Sequence, residues 1–196
     1  MVWNEELKRK IPEGWTVKSL TDILTKNTVP FDYSSEQPTI DLSVMPSNSI
    51  ALSELNTSSN FSTNLYQMTK GDILFGSIRP YLKKAGFAPF DGVVAGTVHS
   101  YKVKNPNYFN FALMTLCRDA FFNYAVNISS GTKMPVVSSD AILEYKVPFS
   151  DEAIKLFAKL DILNVISNNI KENQALVRMR NQLLPILMNG QATIAD

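Results

Sequence analysis

A single cysteine, Cys117, and a single histidine, His99, are all that these 196 residues contain of the two commonest metal-binding and redox side chains. One cysteine excludes an internal disulfide framework and a multi-thiolate metal site, and one histidine removes most zinc arrangements. The cysteine usage fits a reducing compartment. Net charge is equally scarce: 19 Lys and Arg against 18 Asp and Glu leave +1, so no bulk charge announces a nucleic acid or a membrane. No 18 apolar residues run uninterrupted, and the opening MVWNEELKRKIPEGW has no apolar core of about 7–15 residues behind its basic positions. Neither a membrane span nor a secretory leader is expected. What is present is 45% apolar residues, enough for a packed core, and the expectation is a soluble cytoplasmic protein of one domain plus an appendage.

The balanced total conceals local charge. Residues 27–69 hold no Lys or Arg but four acids, Asp32, Glu36, Asp41 and Glu54, whereas 70–104 hold six bases (Lys70, Arg79, Lys83, Lys84, Lys102, Lys104) and two acids (Asp72, Asp91). Such a step admits a one-sided polyanion site. Within 47–64, twelve of eighteen residues are Ser, Thr or Asn, whose side chains compete for backbone hydrogen bonds, so a long loop or a pair of short strands is expected. Short Val-, Ile-, Phe- and Tyr-rich runs bounded by Gly and Pro follow (GDILFGSIRP, AGFAPF, GVVAGTVHSYKV, MPVVS, YKVPF) and predict strands of about 4–7 residues. Between them, NYFNFALMTLCRDAFFNYAV has apolar residues at helical spacing and predicts one helix of about 18 residues.

After Pro148 the texture changes. About 34 residues pass without Gly or Pro, opened by a Ser150 cap and acids in the first turn, and predict one long helix of about 50 Å. A 4–3 count along it finds Leu163, Ile166, Ile170, Asn173, Val177, Arg180, Leu184 and Leu187, a coiled-coil seam with two polar interruptions that needs a partner helix and in which Asn173 and Arg180 would set register. Pro185 and Asn189-Gly190 are expected to kink and stop it. The fold class is therefore α+β: a mixed, β-rich domain with packed helices over residues 1–149, then a long C-terminal coiled-coil helix with a short tail over 150–196.

Catalytic chemistry finds little support. Cys117 lies on an apolar helix stripe, where a buried structural thiol is expected, and His99, the only imidazole available to it, either faces a phosphate or sits at a strand edge. Asn105-Pro106-Asn107-Tyr108 resembles the Asn-Pro-Pro-Tyr motif of amino-methyltransferases but lacks its second proline, and no phosphate-cradling Gly-x-x-x-x-Gly-Lys-Ser/Thr occurs. No cofactor or metal is called for. Binding is better served. Arg79, Lys83 and Lys84, with Tyr81 among them, stand within six residues, and Ser129-Ser130-Gly131-Thr132-Lys133 forms a small polar loop fit for phosphates or base edges.

The order of these pieces resembles the specificity subunit of type I restriction-modification systems, as one target-recognition domain followed by one spacer helix. The resemblance rests on Ile11-Pro12-Glu13-Gly14-Trp15 with Lys18-Ser19-Leu20, Gly71-Asp72-Ile73-Leu74-Phe75 followed by Ile78-Arg79-Pro80, Ser130-Gly131-Thr132 ahead of Val136-Val137-Ser138, Lys146-Val147-Pro148, and Asn181-Gln182-Leu183-Leu184-Pro185 through Asn189-Gly190. It implies a non-catalytic subunit that reads half of a bipartite double-stranded DNA target and scaffolds DNA adenine methyltransferase subunits and a restriction/translocase subunit. Members resembling this chain usually carry two such domains and two antiparallel helices; here there is one of each, which implies a homodimer through antiparallel C-terminal helices. On this reading Arg79, Tyr81, Lys83, Lys84, Ser130, Thr132 and Lys133 contact DNA, and Leu163, Ile166, Ile170, Asn173, Val177, Arg180 and Leu184 form the dimer seam. A reading from another class is a protein-interaction module that oligomerises through its C-terminal helix.

Overall fold

A computed structural model of the chain describes residues 1–52, 54–62 and 64–190; the short tail expected at the C-terminus lies outside them. Among the described residues twelve strands and five α-helices follow in chain order: β1 (Val2–Asn4), β2 (Arg9–Ile11), β3 (Thr16–Ser19), β4 (Leu24–Asn27), β5 (Pro38–Ile40), β6 (Asn56–Thr57), β7 (Leu65–Met68), β8 (Ile73–Gly76), β9 (Ala85–Phe87), β10 (Gly92–Ala95), β11 (Val98–Val103), α1 (Phe109–Leu116), α2 (Asp119–Ile128), α3 (Ser139–Leu143), β12 (Lys146–Phe149), α4 (Asp151–Ala158) and α5 (Ile162–Met188). This is the expected mixture of sheets and helices ending in a long helix.

The centre is an antiparallel sheet in the order β4-β11-β8-β9. Its register sets Ile73 opposite Tyr101 and Phe87, and Phe75 opposite His99 and Ala85. Those side chains share one face because the pleat alternates. That face packs beneath the helices, where Phe75 meets Phe121 edge-on at 5.4 Å and Phe122 stacked at 5.6 Å, and Phe87 meets Phe109 at 5.4 Å. Leu74 and Val98 point the other way, into a second core shared with the β6-β5-β10-β7 sheet and with Ile170 of α5. Every residue of β8 is consequently buried, which is why Ile73-Leu74-Phe75 reads as a continuous apolar run rather than an alternating one.

The single helix expected around residue 117 is two. Arg118 is extended (φ −86°, ψ 150°), and its guanidinium donates to Tyr145 Oη at 2.9 Å and lies over the Tyr145 ring. A distant aromatic thus breaks a pattern that is helical by period. The long C-terminal helix is likewise divided. Ser150 caps α4 by accepting from the Ala153 N–H, as expected, but the chain bends at 159–161. Buried Asn110 of α1 donates its amide hydrogens to the carbonyls of Phe157 (2.8 Å) and Leu160 (2.9 Å), satisfying groups that a continuing helix would have used itself. Asn110→Ala should therefore lower the free energy of unfolding by about 2 kcal/mol in urea titration. Asn110→Asp, equal in shape but unable to donate, should cost at least as much. Beyond the bend α5 runs through Pro185 to Met188, and Gly190 follows in the left-handed region (φ +65°). The expected MPVVS strand is reduced to single bridges, Ile78 to Val136 and Ser130 to Val136.

Candidate nucleic-acid interface

Those bridges build an exposed, structured loop of the domain. Ser130 and Val136 exchange both backbone hydrogen bonds (2.9 and 2.8 Å), closing a tight hairpin whose turn needs Gly131 at φ +97°, where an added Cβ would stand 3.2 Å from the Met134 carbonyl. Thr132 and Lys133 lie at its exposed tip. Met134 and Val136 are also exposed, at 52% and 39%, in a run whose apolar composition predicts a buried strand; only Val137 is buried. No periodic signal distinguishes them, because exposure here follows from a hairpin standing off the sheet.

A second segment meets this hairpin. Arg79 occupies the left-handed region at φ +52°, followed by a 3-10 turn over Pro80–Leu82 and by Lys83 at φ +53°. The Arg79 N–H donates to the Pro135 carbonyl at 2.7 Å. Two parts distant in sequence thus join, and Arg79, Tyr81 (52% exposed), Ser130, Thr132 and Lys133 are presented to solvent along one junction. A non-glycine residue at positive φ is strained, and here two fall within five residues.

The other two expected cations are engaged within the fold. Lys83 Nζ pairs with Asp119 at 2.5 Å, and Lys84 Nζ donates to the Leu42 carbonyl at 2.5 Å while its stem is half-buried. Their spacing in sequence suits a phosphate backbone, but the turn aims them at acceptors on α2 and the 41–46 segment. The Ser/Thr/Asn-rich stretch is occupied in the same way. Asn56 donates to Asp41 at 2.7 Å, Thr57 and Ser59 donate to Glu36, and these hydroxyls hold the Glu36 carboxyl below its ordinary range.

Nucleophilic chemistry is disfavoured at the lone thiol: burial pushes Cys117 up to about 12, so thiolate is scarce near neutral pH. His99 does not face outward toward a phosphate; its Nε2 lies 2.9 Å from the Val137 carbonyl. Among the described residues no cluster of three metal-ligating side chains occurs, and no helix is long and apolar enough to cross a membrane.

The helical seam divides at mid-length. Leu163 and Ile166 pack on the helix-side core, Ile166 reaches the second core as well, and Ile170 is 4% exposed. The Leu163 side chain would stand 3.4 Å from a Cβ at Gly71, and Lys70 donates to Asn164 at 2.7 Å. These three seam positions are therefore spent on the chain's own domain, correcting the expectation that the stripe is unpaired throughout. Asn173, Val177, Arg180, Leu184 and Leu187 remain exposed.

No protein-family model matches the chain. It is 28% identical over 199 residues to the type I restriction enzyme EcoDI specificity subunit of Escherichia coli, covering 94% of this chain and 43% of that protein. The likeness is to a type I specificity subunit. The crystal structure of the HsdS subunit from Thermoanaerobacter tengcongensis matches at TM-score 0.63 with 18% identity over 92% of this chain and 49% of that one. A chain from work on complex assembly and conformational transition of the type I R-M system matches at TM-score 0.65 with 19% identity over 93% and 50%. At such identities these two establish a shared fold. The chain spans about half the length of the specificity subunits it resembles, so the fold above corresponds to one half of theirs.

Proposed function

We propose that the chain is a non-catalytic DNA-recognition subunit that reads one half of a bipartite target and scaffolds the adenine methyltransferase and restriction subunits of a type I complex. The observation that carries this reading is the junction of the 130–136 hairpin with the Arg79 turn, which exposes cationic, hydroxyl and aromatic groups on a domain related to specificity subunits. Arg79 and Lys133 neutralise phosphates, while Thr132, Ser130 and Tyr81 meet base edges or sugars. Residues 1–149 carry recognition. The helical part from 150 onward carries scaffolding, with its first half also completing the domain core.

The chain covers half of its relatives, and the second half of α5 exposes Val177, Leu184 and Leu187. A second copy, paired antiparallel along this stretch, would supply the missing recognition domain. Co-expression with its methyltransferase in a methylation-free host, followed by mapping of adenine methylation, tests the whole reading: a palindromic bipartite motif is expected, and absence of methylation counts against it.

Duplex binding by the chain should weaken steeply between about 50 and 200 mM salt. Arg79→Ala and Lys133→Ala should each reduce the slope of log affinity against log salt by about 1. Lys83→Ala and Lys84→Ala should leave it unchanged, since both amines already have partners. Salt-independent behaviour with oligomerisation retained would favour the protein-interaction reading.

A further inference from the structure

The 130–136 hairpin is held by two backbone bonds of its own, too few to fix an orientation unaided. It is attached to the domain on one side by the Arg79 N–H bond to the Pro135 carbonyl and on the other at Val137, which is fully buried. The Val137 N–H donates to the Ser77 carbonyl at 2.9 Å, and Ser77 is anchored through its N–H and Oγ to the Thr97 carbonyl at 3.0 and 2.8 Å. The Val137 carbonyl is met by His99 Nε2 at 2.9 Å. A carbonyl only accepts, so Nε2 carries the hydrogen and the imidazole donates. His99 sits on β11, paired with Phe75 of β8 in the centre of the sheet, so it ties the hairpin to the central sheet. Its ring lies 6.2 Å from Tyr101, and the charged groups whose fields reach it are Lys26 and Asp140. Burial holds the imidazole below its ordinary range, so it is neutral near pH 7 with that hydrogen committed.

We propose that His99 is the positioning residue of the recognition hairpin: by donating to the Val137 carbonyl it sets the angle at which Thr132, Lys133 and Met134 approach DNA. This rests on the DNA-recognition reading above. Hydrogen bonds to base edges tolerate displacements of only about 0.5 Å, so a supporting contact of this kind governs sequence preference without touching DNA.

Amide exchange in the full chain tests the latch, with Leu74 and Ser100 of the central sheet as internal reference. In His99→Ala, the Ser130, Val136 and Arg79 amides should exchange about 10-fold faster while the sheet amides hold. His99→Gln, whose amide donates at similar reach, should restore them. On a duplex bearing the mapped half-site, preference over a scrambled duplex should fall about 10-fold in His99→Ala and return in His99→Gln. Unchanged hairpin exchange, sheet amides accelerating as much as hairpin amides, or full preference retained with a loosened hairpin would each overturn the proposal. A wild-type chain that does not distinguish the two duplexes would overturn the recognition reading instead, and the exchange data would still decide whether His99 holds the hairpin.

Discussion

Asp72→Ala is expected to cost about 3 kcal/mol of folding free energy in urea denaturation. The carboxylate is 3% exposed and accepts from the Thr69 N–H (3.0 Å), the Thr69 hydroxyl (3.0 Å) and the Asn27 amide (2.9 Å), with Lys102 Nζ at 3.3 Å. Lys102 is 45% exposed on its side chain, so water screens that ion pair and the hydrogen bonds carry most of the effect. Alanine removes the acceptor of the Thr69 N–H and of one hydrogen of buried Asn27, whereas Asp72→Asn keeps an acceptor and should cost about half as much. The consequence extends to the spacer helix. Gly71, at φ +92°, donates to the Ala88 carbonyl at 2.8 Å and leaves room for Leu163, so loosening this turn loosens the seat of α5. Faster amide exchange over residues 163–170 in Asp72→Ala would show it.

The double variant Val177→Asp, Leu184→Asp is expected to weaken the self-association proposed above about 10³-fold or more while leaving the domain folded, as read by sedimentation equilibrium and thermal melting. Both side chains are largely exposed, at 42% and 50%, and make no contribution to either core, so the monomer loses little. In a symmetric pair each substitution enters the interface twice. Four apolar contacts are then replaced by buried carboxylates, and burying an unpaired charge is far costlier than losing an apolar contact. Methylation in the co-expression host should disappear with the dimer. The same exchange at Ile170, whose side chain fills the core beneath α5, should instead unfold the domain, and an Ile170→Asp variant that melts like the wild type would contradict the division of the seam described above.

The sequence by itself determined most of what depends on neighbours along the chain. Strands at 73–76, 98–103 and 146–149 were legible because β-branched and aromatic runs end at Gly or Pro, and the start of α4 because a hydroxyl stands ahead of acids. The helical texture after Pro148 was equally plain, and so was the ordered set of motifs that resembles a specificity subunit. Tertiary structure alone decided where those helices break, since Tyr145 extends Arg118 and Asn110 captures the Phe157 and Leu160 carbonyls across 47 and 50 residues. It decided which cations find partners within the fold, because Lys83 pairs with Asp119 and Lys84 donates to the Leu42 carbonyl. It also decided that Leu163, Ile166 and Ile170 belong to the domain while Val177 and Leu184 do not. A helical period states which residues share a face; what covers that face depends on how far the folded domain reaches along it, and the two cores beneath α5 bury it as far as Ile170, with Gln174 and Ala175 half-buried one turn further on.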